Sequence, residues 1–193
     1  MTYDTIKNAA DFVFCLKKVN FAHARYATER TTMFKRILVT LDGSDLSERA
    51  LQPGFELAEK FAAEIILLRV IAIDAIVVAA AGAGTGPEYL QLRDMREERD
   101  LAESEAYLHG VQARWQATGV PVTTRVAIGA APERIVQEAA QCDAELIVMS
   151  THGRSGLSRF LYGSVAEAVL RGSPLPLLLI PVKHSNGRDW LAV

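Results

Sequence analysis

The sequence MSTHGRSGLSRFLYGSV, residues 149–165, joins an apolar run to the start of a helix through a loop marked by glycines. The run that leads into it, Ala144–Met149, is predicted to be a short strand with a continuous apolar stretch, as in strands buried on both faces of a parallel sheet. At its far end Ser164 is followed three residues later by Glu167, which predicts a capping box at a helix N-terminus. A strand–loop–helix unit of this kind is typical of an α/β domain.

The loop itself has the chemistry of an anion site. A helix N-terminus presents unpaired N–H groups and about half a positive charge, and glycines let a ligand approach the backbone closely. The stretch also carries positive or titratable side chains, His152, Arg154 and Arg159. These features predict a phosphate cradle. The alternative is that Ser164 and Glu167 only cap their own helix, and that the glycines only mark turns.

Strands and helices alternate outward from this loop. Strands are predicted at Arg36–Leu41, Glu64–Ile71, Pro121–Ile128, Glu145–Ser150 and Leu175–Val182. Helices are predicted at Leu46–Ala63, with a bend at Pro53-Gly54, and at Pro87–Thr118, Pro132–Gln141 and Ser164–Arg171. The alternation predicts an α/β fold, a five-stranded, doubly wound, Rossmann-like parallel sheet with helices on both faces.

A ligand site is expected at one edge of this sheet. Doubly wound sheets bind ligands outside the carboxyl ends of their strands, where the strand order reverses. If the strand that ends at Leu41 neighbours the strand that ends at Ser150, Asp42 faces residues 149–153. One pocket would then be built from two segments that are distant in sequence.

Composition narrows the function classes. The chain has 193 residues with 21 basic and 23 acidic side chains, and a net charge of −2 gives no nucleic-acid or anionic-membrane footprint. Cys15 and Cys142 do not suggest a disulfide framework, and no metal-ligand spacing occurs. Arg69 and Asp74 interrupt the longest apolar stretch, and no export signal is evident. A cytoplasmic location is expected.

Three regions are expected along the chain. Residues 1–33 are an extension of uncertain order, residues 34–183 a single domain, and residues 184–193 a tail. Met33 directly precedes the first strong strand, which makes it a candidate alternative start. The other interpretation of the extension is a docked helix around Ala9–Ala27. In neither case is the fold expected to need the extension.

These residues resemble the universal stress protein family. The family's phosphate motif is glycine, two residues, glycine, nine residues, then Gly-Ser or Gly-Thr; here Ser150, Gly153 and Gly163-Ser164 keep both gaps. The segments Arg36–Ser44 and Leu67–Ile71 resemble the family's first strand with its turn and its second strand. The resemblance extends over Phe34–Val182. Ser150 departs from it, because the nucleotide-binding branch often has glycine there.

The resemblance implies a domain that binds ATP, with Mg²⁺ bridging phosphate oxygens, and that forms a homodimer through its last strand, Leu175–Val182. By position, adenine and ribose would be met by Asp42 and by the backbone around Thr40 and Val70, with Met149 and Ser150 on the ribose side. The phosphates would be held by Gly153, Arg154, Ser155, Gly163, Ser164 and Val165.

Three functions follow from these features. The first is a nucleotide-dependent regulatory module of the stress response, and the second is a dimeric stress scaffold that binds no nucleotide, which Ser150 favours. The third is a slow ATPase or phosphotransfer protein, whose only candidate groups are Asp42, His152 and Ser164. No P-loop or catalytic triad is present in the sequence, so no catalytic residue is assigned.

Pairing of the last strand with the same strand of a second copy would cover a sheet edge, although Pro176 and Pro181 alone could protect that edge in a monomer.

Overall fold

The described part of the protein is a sheet of six strands with helices on both faces. The computed structural model describes residues 13–15, 33–72, 87–152 and 163–182. The strands are β1 Val13–Cys15, β2 Arg36–Leu41, β3 Glu64–Ile71, β4 Val122–Ile128, β5 Leu146–His152 and β6 Leu177–Val182. The helices are α1 Asp45–Glu48, α2 Leu51–Phe61, α3 Pro87–Trp115, α4 Ala131–Gln141 and α5 Ser164–Gly172, with a 3₁₀ turn at Gln116–Thr118.

The strand order is β1-β6-β5-β2-β3-β4, and strands β2 to β6 are all parallel. This confirms the predicted doubly wound parallel sheet of five strands. From β2 the chain adds β3 and β4 on one side and later β5 and β6 on the other, so the order reverses between β2 and β5. Val39 of β2 pairs in register with Val148 of β5 and with Leu67 of β3. The predicted neighbourhood of these two strands is therefore confirmed.

Each face of the sheet carries its own apolar core. In β2, Ile37 and Val39 pack on one side with Phe55 of α2 and Leu108 of α3, while Leu38 lies on the other. The second core holds the inner faces of α4 and α5, and all of these strand residues are fully buried. Burial on both faces removes any need for polar alternation, which explains why the central strands have continuous apolar sequences.

The predicted helix over Leu46–Ala63 is divided in two. Arg49 and Ala50 separate α1 from α2, and Pro53 lies in the first turn of α2, where its missing N–H needs no intrahelical partner. The bend predicted at Pro53-Gly54 is therefore wrong. Gly54 instead allows close packing, because a Cβ built on it would lie 3.0 Å from Cγ2 of Val39.

The N-terminal region contributes a strand that the sequence did not predict. β1 pairs antiparallel with β6, with Val13 opposite Leu179 and Cys15 opposite Leu177. A docked helix over Ala9–Ala27 is thus wrong at residues 13–15, and β6 is not an open edge along Leu177–Leu179. A β-branched and aromatic sequence such as VFC favours strand, but three residues are too few to show a period.

Within the described ranges, no helix has the length and apolar character that a bilayer crossing requires.

Candidate functional site

A cleft of about 630 Å³ opens at the carboxyl edge of the sheet, where the strand order reverses between β2 and β5. Clefts of this size in this position are the usual ligand sites of doubly wound folds. The cleft is lined by Thr40, Leu41, Asp42, Ser47, Leu68, Val70, Ala131, Ile135, Met149, Ser150, Gly163, Ser164, Val165 and Ala166.

Most residues predicted for the site meet in this cleft. Those that line it are Thr40, Asp42, Val70, Met149, Ser150, Gly163, Ser164 and Val165. The remaining predicted residues, Gly153, Arg154 and Ser155, lie outside the described residues. The part of each residue in holding a ligand stays a prediction, but one cleft does join the two distant segments.

One part of the cleft is apolar. Leu68 and Val70 point to the same face of β3 because they are two residues apart, and Ile135 of α4 and Met149 of β5 complete the wall. Leu68, Ile135 and Met149 are at most 5% exposed, which leaves little freedom for the wall to move. An apolar wall of this kind suits the faces of a planar heterocycle.

Sequence reasoning missed part of this wall. Leu68 could have been found, since strand alternation places it beside the predicted Val70. Ala131 and Ile135 at the start of α4, as well as Leu41, Ser47 and Ala166, carry no chemical signal in the sequence. Only the packing of helices against the sheet brings them to the cleft.

A polar turn forms the next part of the cleft, between β2 and α1. Asp42 Oδ1 accepts hydrogen bonds from Ser44 N at 2.9 Å and from Ser44 Oγ at 2.6 Å. The Ser44 side chain caps α1 by accepting from Ser47 N at 3.2 Å, and Ser47 Oγ accepts from Asp42 N at the same distance. This network fixes the Asp42 carboxylate at the mouth of the cleft, where it is exposed.

Gly43 at the apex of this turn has a left-handed backbone, with φ of +87°. A Cβ built on it would lie 3.3 Å from the guanidinium carbon of Arg69, which also stacks 5.1 Å from the ring centroid of Tyr107. A glycine is required here for two reasons, the sign of φ and the proximity of Arg69. The turn that carries Asp42 is thereby held against β3 and α3.

A charged network behind the turn ties α1 to α3. Arg114 Nη2 lies 2.9 Å from both oxygens of Glu48, and Tyr107 Oη donates to Glu48 Oε1 at 3.0 Å. The hydrogen bond from Arg114 lowers the pKa of Glu48 and raises that of Arg114. Burial, with the Glu48 contact second, raises the pKa of Tyr107 to about 12, so this phenol stays a donor.

The N-terminus of α5 forms the last part of the cleft. Gly163 is its N-cap, and the predicted capping box of Ser164 with Glu167 is wrong. Glu167 N donates to the Gly163 carbonyl at 2.9 Å, while the Glu167 carboxylate pairs with Arg171. Ser164 is already the first helical residue and is exposed, and the first-turn residues Ser164, Val165 and Ala166 line the cleft, where the first N–H groups of a helix have no intrahelical partner.

The described residues contain no group of three His, Cys, Asp or Glu side chains placed to hold a metal ion. Among the described residues that line the cleft, Asp42 is the only one from this set. A cation at this place would therefore need oxygen ligands from a bound molecule in addition to the described side chains.

Comparison with known proteins gives a consistent assignment. A model of the universal stress protein family matches residues 33–181. The chain is 30% identical over 148 residues to a universal stress protein of Methanocaldococcus jannaschii, covering 77% of this chain and 82% of that protein. It is 31% identical to Universal stress protein YxiE of Bacillus subtilis, covering 77% and 99%.

Solved structures agree in fold. A universal stress protein in complex with cAMP superposes with a TM-score of 0.56 at 23% identity, covering 77% of this chain and 97% of that one. This likeness is one of fold, since the identity is too low to carry the ligand across.

Proposed function

The chain belongs to the universal stress protein family, and on that premise we propose that it binds ATP, with Mg²⁺, in the cleft between β2 and β5. Nucleotide occupancy would then set the conformation or partner choice of a regulatory stress-response module. The binding residues are those predicted above, with Leu68 and Ile135 added to the base-binding wall.

The three kinds of surface that meet in the cleft carry this proposal. The cleft is lined by the apolar side chains of Leu68, Val70 and Ile135, by Asp42, and by the N-terminus of α5. A nucleotide presents a flat base, a ribose with hydroxyl donors and an anionic phosphate. Each surface therefore matches one part of the ligand: dispersion for the base, hydrogen-bond acceptance for the ribose, and N–H donors with a positive dipole for the phosphate.

Mg²⁺ fits the cleft only together with the nucleotide. The described residues offer it Asp42 and the Ser164 hydroxyl, whereas a hard cation prefers six oxygen ligands, several of which phosphate and water would supply. When bound, the ion neutralises phosphate charge. The N–H groups of Ser164 and Val165 would orient the phosphates, and Asp42 would orient the ribose.

The family also supports an adenine nucleotide, since one of its members has been solved with cAMP. A cyclic monophosphate has a single phosphate, so the proposed binding of a triphosphate depends on Gly163–Val165 and on the predicted Gly153, Arg154 and Ser155.

The competing function is a scaffold that binds no nucleotide, and Ser150 favours it because its Cβ projects where the motif often has glycine.

Catalysis is not part of the proposal beyond slow hydrolysis at most. In-line attack needs a base aimed at water, whereas Asp42 Oδ1 already accepts two hydrogen bonds from Ser44. We also propose that the protein is cytoplasmic and that it can form a homodimer by pairing through β6 when that edge is free of β1.

The matched glycines Gly163 and Gly172, at the two ends of α5, test nucleotide binding. The backbone of Gly163, with φ of −55° and ψ of 150°, accepts any side chain, and a Cβ at Gly172 would meet nothing within 4 Å. We expect Gly163→Val to weaken Mg-ATP binding at least about tenfold, which is about 1.4 kcal/mol, by filling the phosphate end. Gly172→Val is expected to retain wild-type affinity in isothermal titration calorimetry.

Two results would contradict the proposal. Absence of binding by the wild-type protein at millimolar Mg-ATP would favour the scaffold function. Equal affinity of the wild type and Gly163→Val would mean that nucleotide binds elsewhere.

A further inference from the structure

The outer edge of β6 is the feature that the nucleotide site does not use. β6 pairs with β5 along Leu177–Val182, which occupies one of its two edges. On its other edge β1 covers Leu177–Leu179. Leu177, Leu178 and Leu179 are at most 2% exposed, so this part of the sheet is fully enclosed within one chain.

The direction of β1 relative to β6 is the same as the direction that β6 of a second copy would have. Two copies related by a two-fold axis can pair their β6 strands edge to edge only in antiparallel orientation, because the rotation reverses the strand. β1 also runs antiparallel to β6 and lies on the edge that β5 leaves open. It therefore holds the position, and the orientation, that β6 of a second copy would take.

Pairing of two β6 strands over their whole length and docking of β1 exclude each other, because β1 occupies Leu177–Leu179 and a backbone edge accepts one partner strand. β1 offers three residues, whereas β6 of a second copy offers six. The longer strand forms more ladder bonds, but β1 belongs to the same chain, and a tethered segment competes at an effective concentration far above micromolar. The docked β1 is therefore favoured in dilute protein.

We propose that β1 is an intramolecular competitor for the β6 edge, so that the chain is monomeric while β1 is docked and dimerises through β6 when β1 leaves. This inference rests on the homodimer proposed above and adds its regulation. Anything that binds or removes the segment around Val13–Cys15 would act as a dimerisation signal.

A proline pair in β1 tests the competition in the full-length chain. Neighbouring residues of a strand direct their N–H groups to opposite sides, so Val13→Pro combined with Phe14→Pro removes at least one donor towards β6. Sedimentation velocity over a range of concentrations is expected to show a monomer for the wild type and at least a tenfold higher association constant for the variant. The control is Ala9→Pro with Ala10→Pro, which lies in the same N-terminal region before β1 and is expected to match the wild type.

The same oligomeric state for the wild type and the β1 variant, monomer or dimer, would overturn the proposal. A disulfide provides a second measurement that does not depend on weakening β1. Cys15 is the register partner of Leu177, and paired strand positions are close enough for a disulfide. In a Cys142→Ser background, Leu177→Cys is expected to form an intrachain bond on oxidation, seen as a loss of two hydrogens by intact mass, and the oxidised chain is expected to remain monomeric.

Leu175→Cys, placed before β6, is the control and is expected to form no such bond with Cys15. A locked Leu177→Cys chain that still dimerises, or one that forms only interchain bonds, would overturn the proposal. Mg-ATP affinity is measured on each variant and is expected to equal that of the wild type. If the β1 variant dimerises as expected but the protein binds no nucleotide, only the nucleotide proposal is refuted. If the protein binds nucleotide but the β1 variant and the wild type have the same oligomeric state, only the proposed competition between β1 and a second β6 is refuted.

Discussion

Gly43 shows how one residue links the chain's local conformation to the cleft. Its φ of +87° lets the chain turn directly after β2, so that Ser44 N and Ser44 Oγ both donate to Asp42 Oδ1 across the turn. The Arg69 guanidinium lies against the same glycine and over Tyr107. A side chain at position 43 would therefore disturb backbone and packing together.

Gly43→Ala is expected to lower the free energy of unfolding by about 1–2 kcal/mol, because alanine resists the left-handed region and its Cβ would press on Arg69. The matched substitution is Gly110→Ala in the interior of α3, where a Cβ meets nothing within 4 Å. That change is expected to stabilise by about 0.5–1 kcal/mol through helix propensity. Urea denaturation measures the change in the free energy of unfolding for each variant. If both substitutions stabilised the protein, or both destabilised it, this explanation of the turn would be contradicted.

Ser150 is the residue at which the chain departs from its family's phosphate motif. It lines the cleft at the end of β5 and is half-buried, so its side chain limits the space beside the predicted ribose. Ser150→Gly is expected to tighten Mg-ATP binding severalfold, and Ser150→Val to weaken it about tenfold by adding bulk. Fluorescence titration with a labelled ATP analogue measures both; the opposite order of affinities would show that the serine hydroxyl is itself a ligand contact.

At the scale of elements, α1 and α3 are joined by Glu48, Tyr107 and Arg114. The pKa of Glu48 is lowered from 4.5 in the folded protein. A carboxyl with a lowered folded pKa stabilises the fold above its unfolded pKa, and that contribution is lost as the pH falls through the folded value. The link between the helices should therefore weaken in acid.

Glu48→Gln is expected to cost about 1 kcal/mol at pH 7, a modest value because the Arg114 side chain is 55% exposed. The difference from the wild type should begin to shrink as the pH falls below 4.5 and should be lost as the pH falls through the lowered pKa of folded Glu48. Glu59→Gln on the exposed face of α2 serves as the control, with no such pH dependence of the difference expected. Thermal unfolding followed from pH 7 to pH 3 gives the stability of each variant against pH, and a Glu48→Gln deficit as large at pH 3 as at pH 7 would refute the ion-pair explanation.

At the scale of the whole molecule, the cleft is formed by elements from both halves of the chain, namely β2, α1, β3, α4, β5 and α5. A ligand held there contacts segments that must all be folded, so binding and global stability are linked. Mg-ATP at 100 times its dissociation constant is expected to raise the free energy of unfolding by about 2.7 kcal/mol.

Differential scanning calorimetry at fixed protein concentration measures this shift. Gly163→Val is expected to show little increase at the same nucleotide concentration, because its binding is weakened. A nucleotide-independent unfolding temperature in the wild type, despite measurable binding, would mean that the ligand occupies a site outside the cooperative fold.

The sequence by itself determined the parallel strands and most of the predicted residues that line the cleft between β2 and β5. Continuous apolar runs such as Ile65–Leu68 are local properties of the chain, and so are the turn residues Asp42, Gly43 and Ser44. The strands β2 and β3 have the predicted bounds for that reason, Arg36–Leu41 and Glu64–Ile71. The motif spacing likewise predicted that Ser150, Gly163 and Ser164 lie together, and all three line the cleft.

Only the tertiary structure decided which distant segments meet. Ile135 joins the cleft because α4 packs on the second face of the sheet, and Gly163 rather than Ser164 caps α5. β1 pairs with β6 across more than 160 residues, a contact whose free energy comes from covering an edge and not from any periodicity in VFC. Local sequence patterns determine which segments become strands and helices. Which of these segments contact one another depends on the surface that is buried and the strand edges that are paired when the whole sheet assembles.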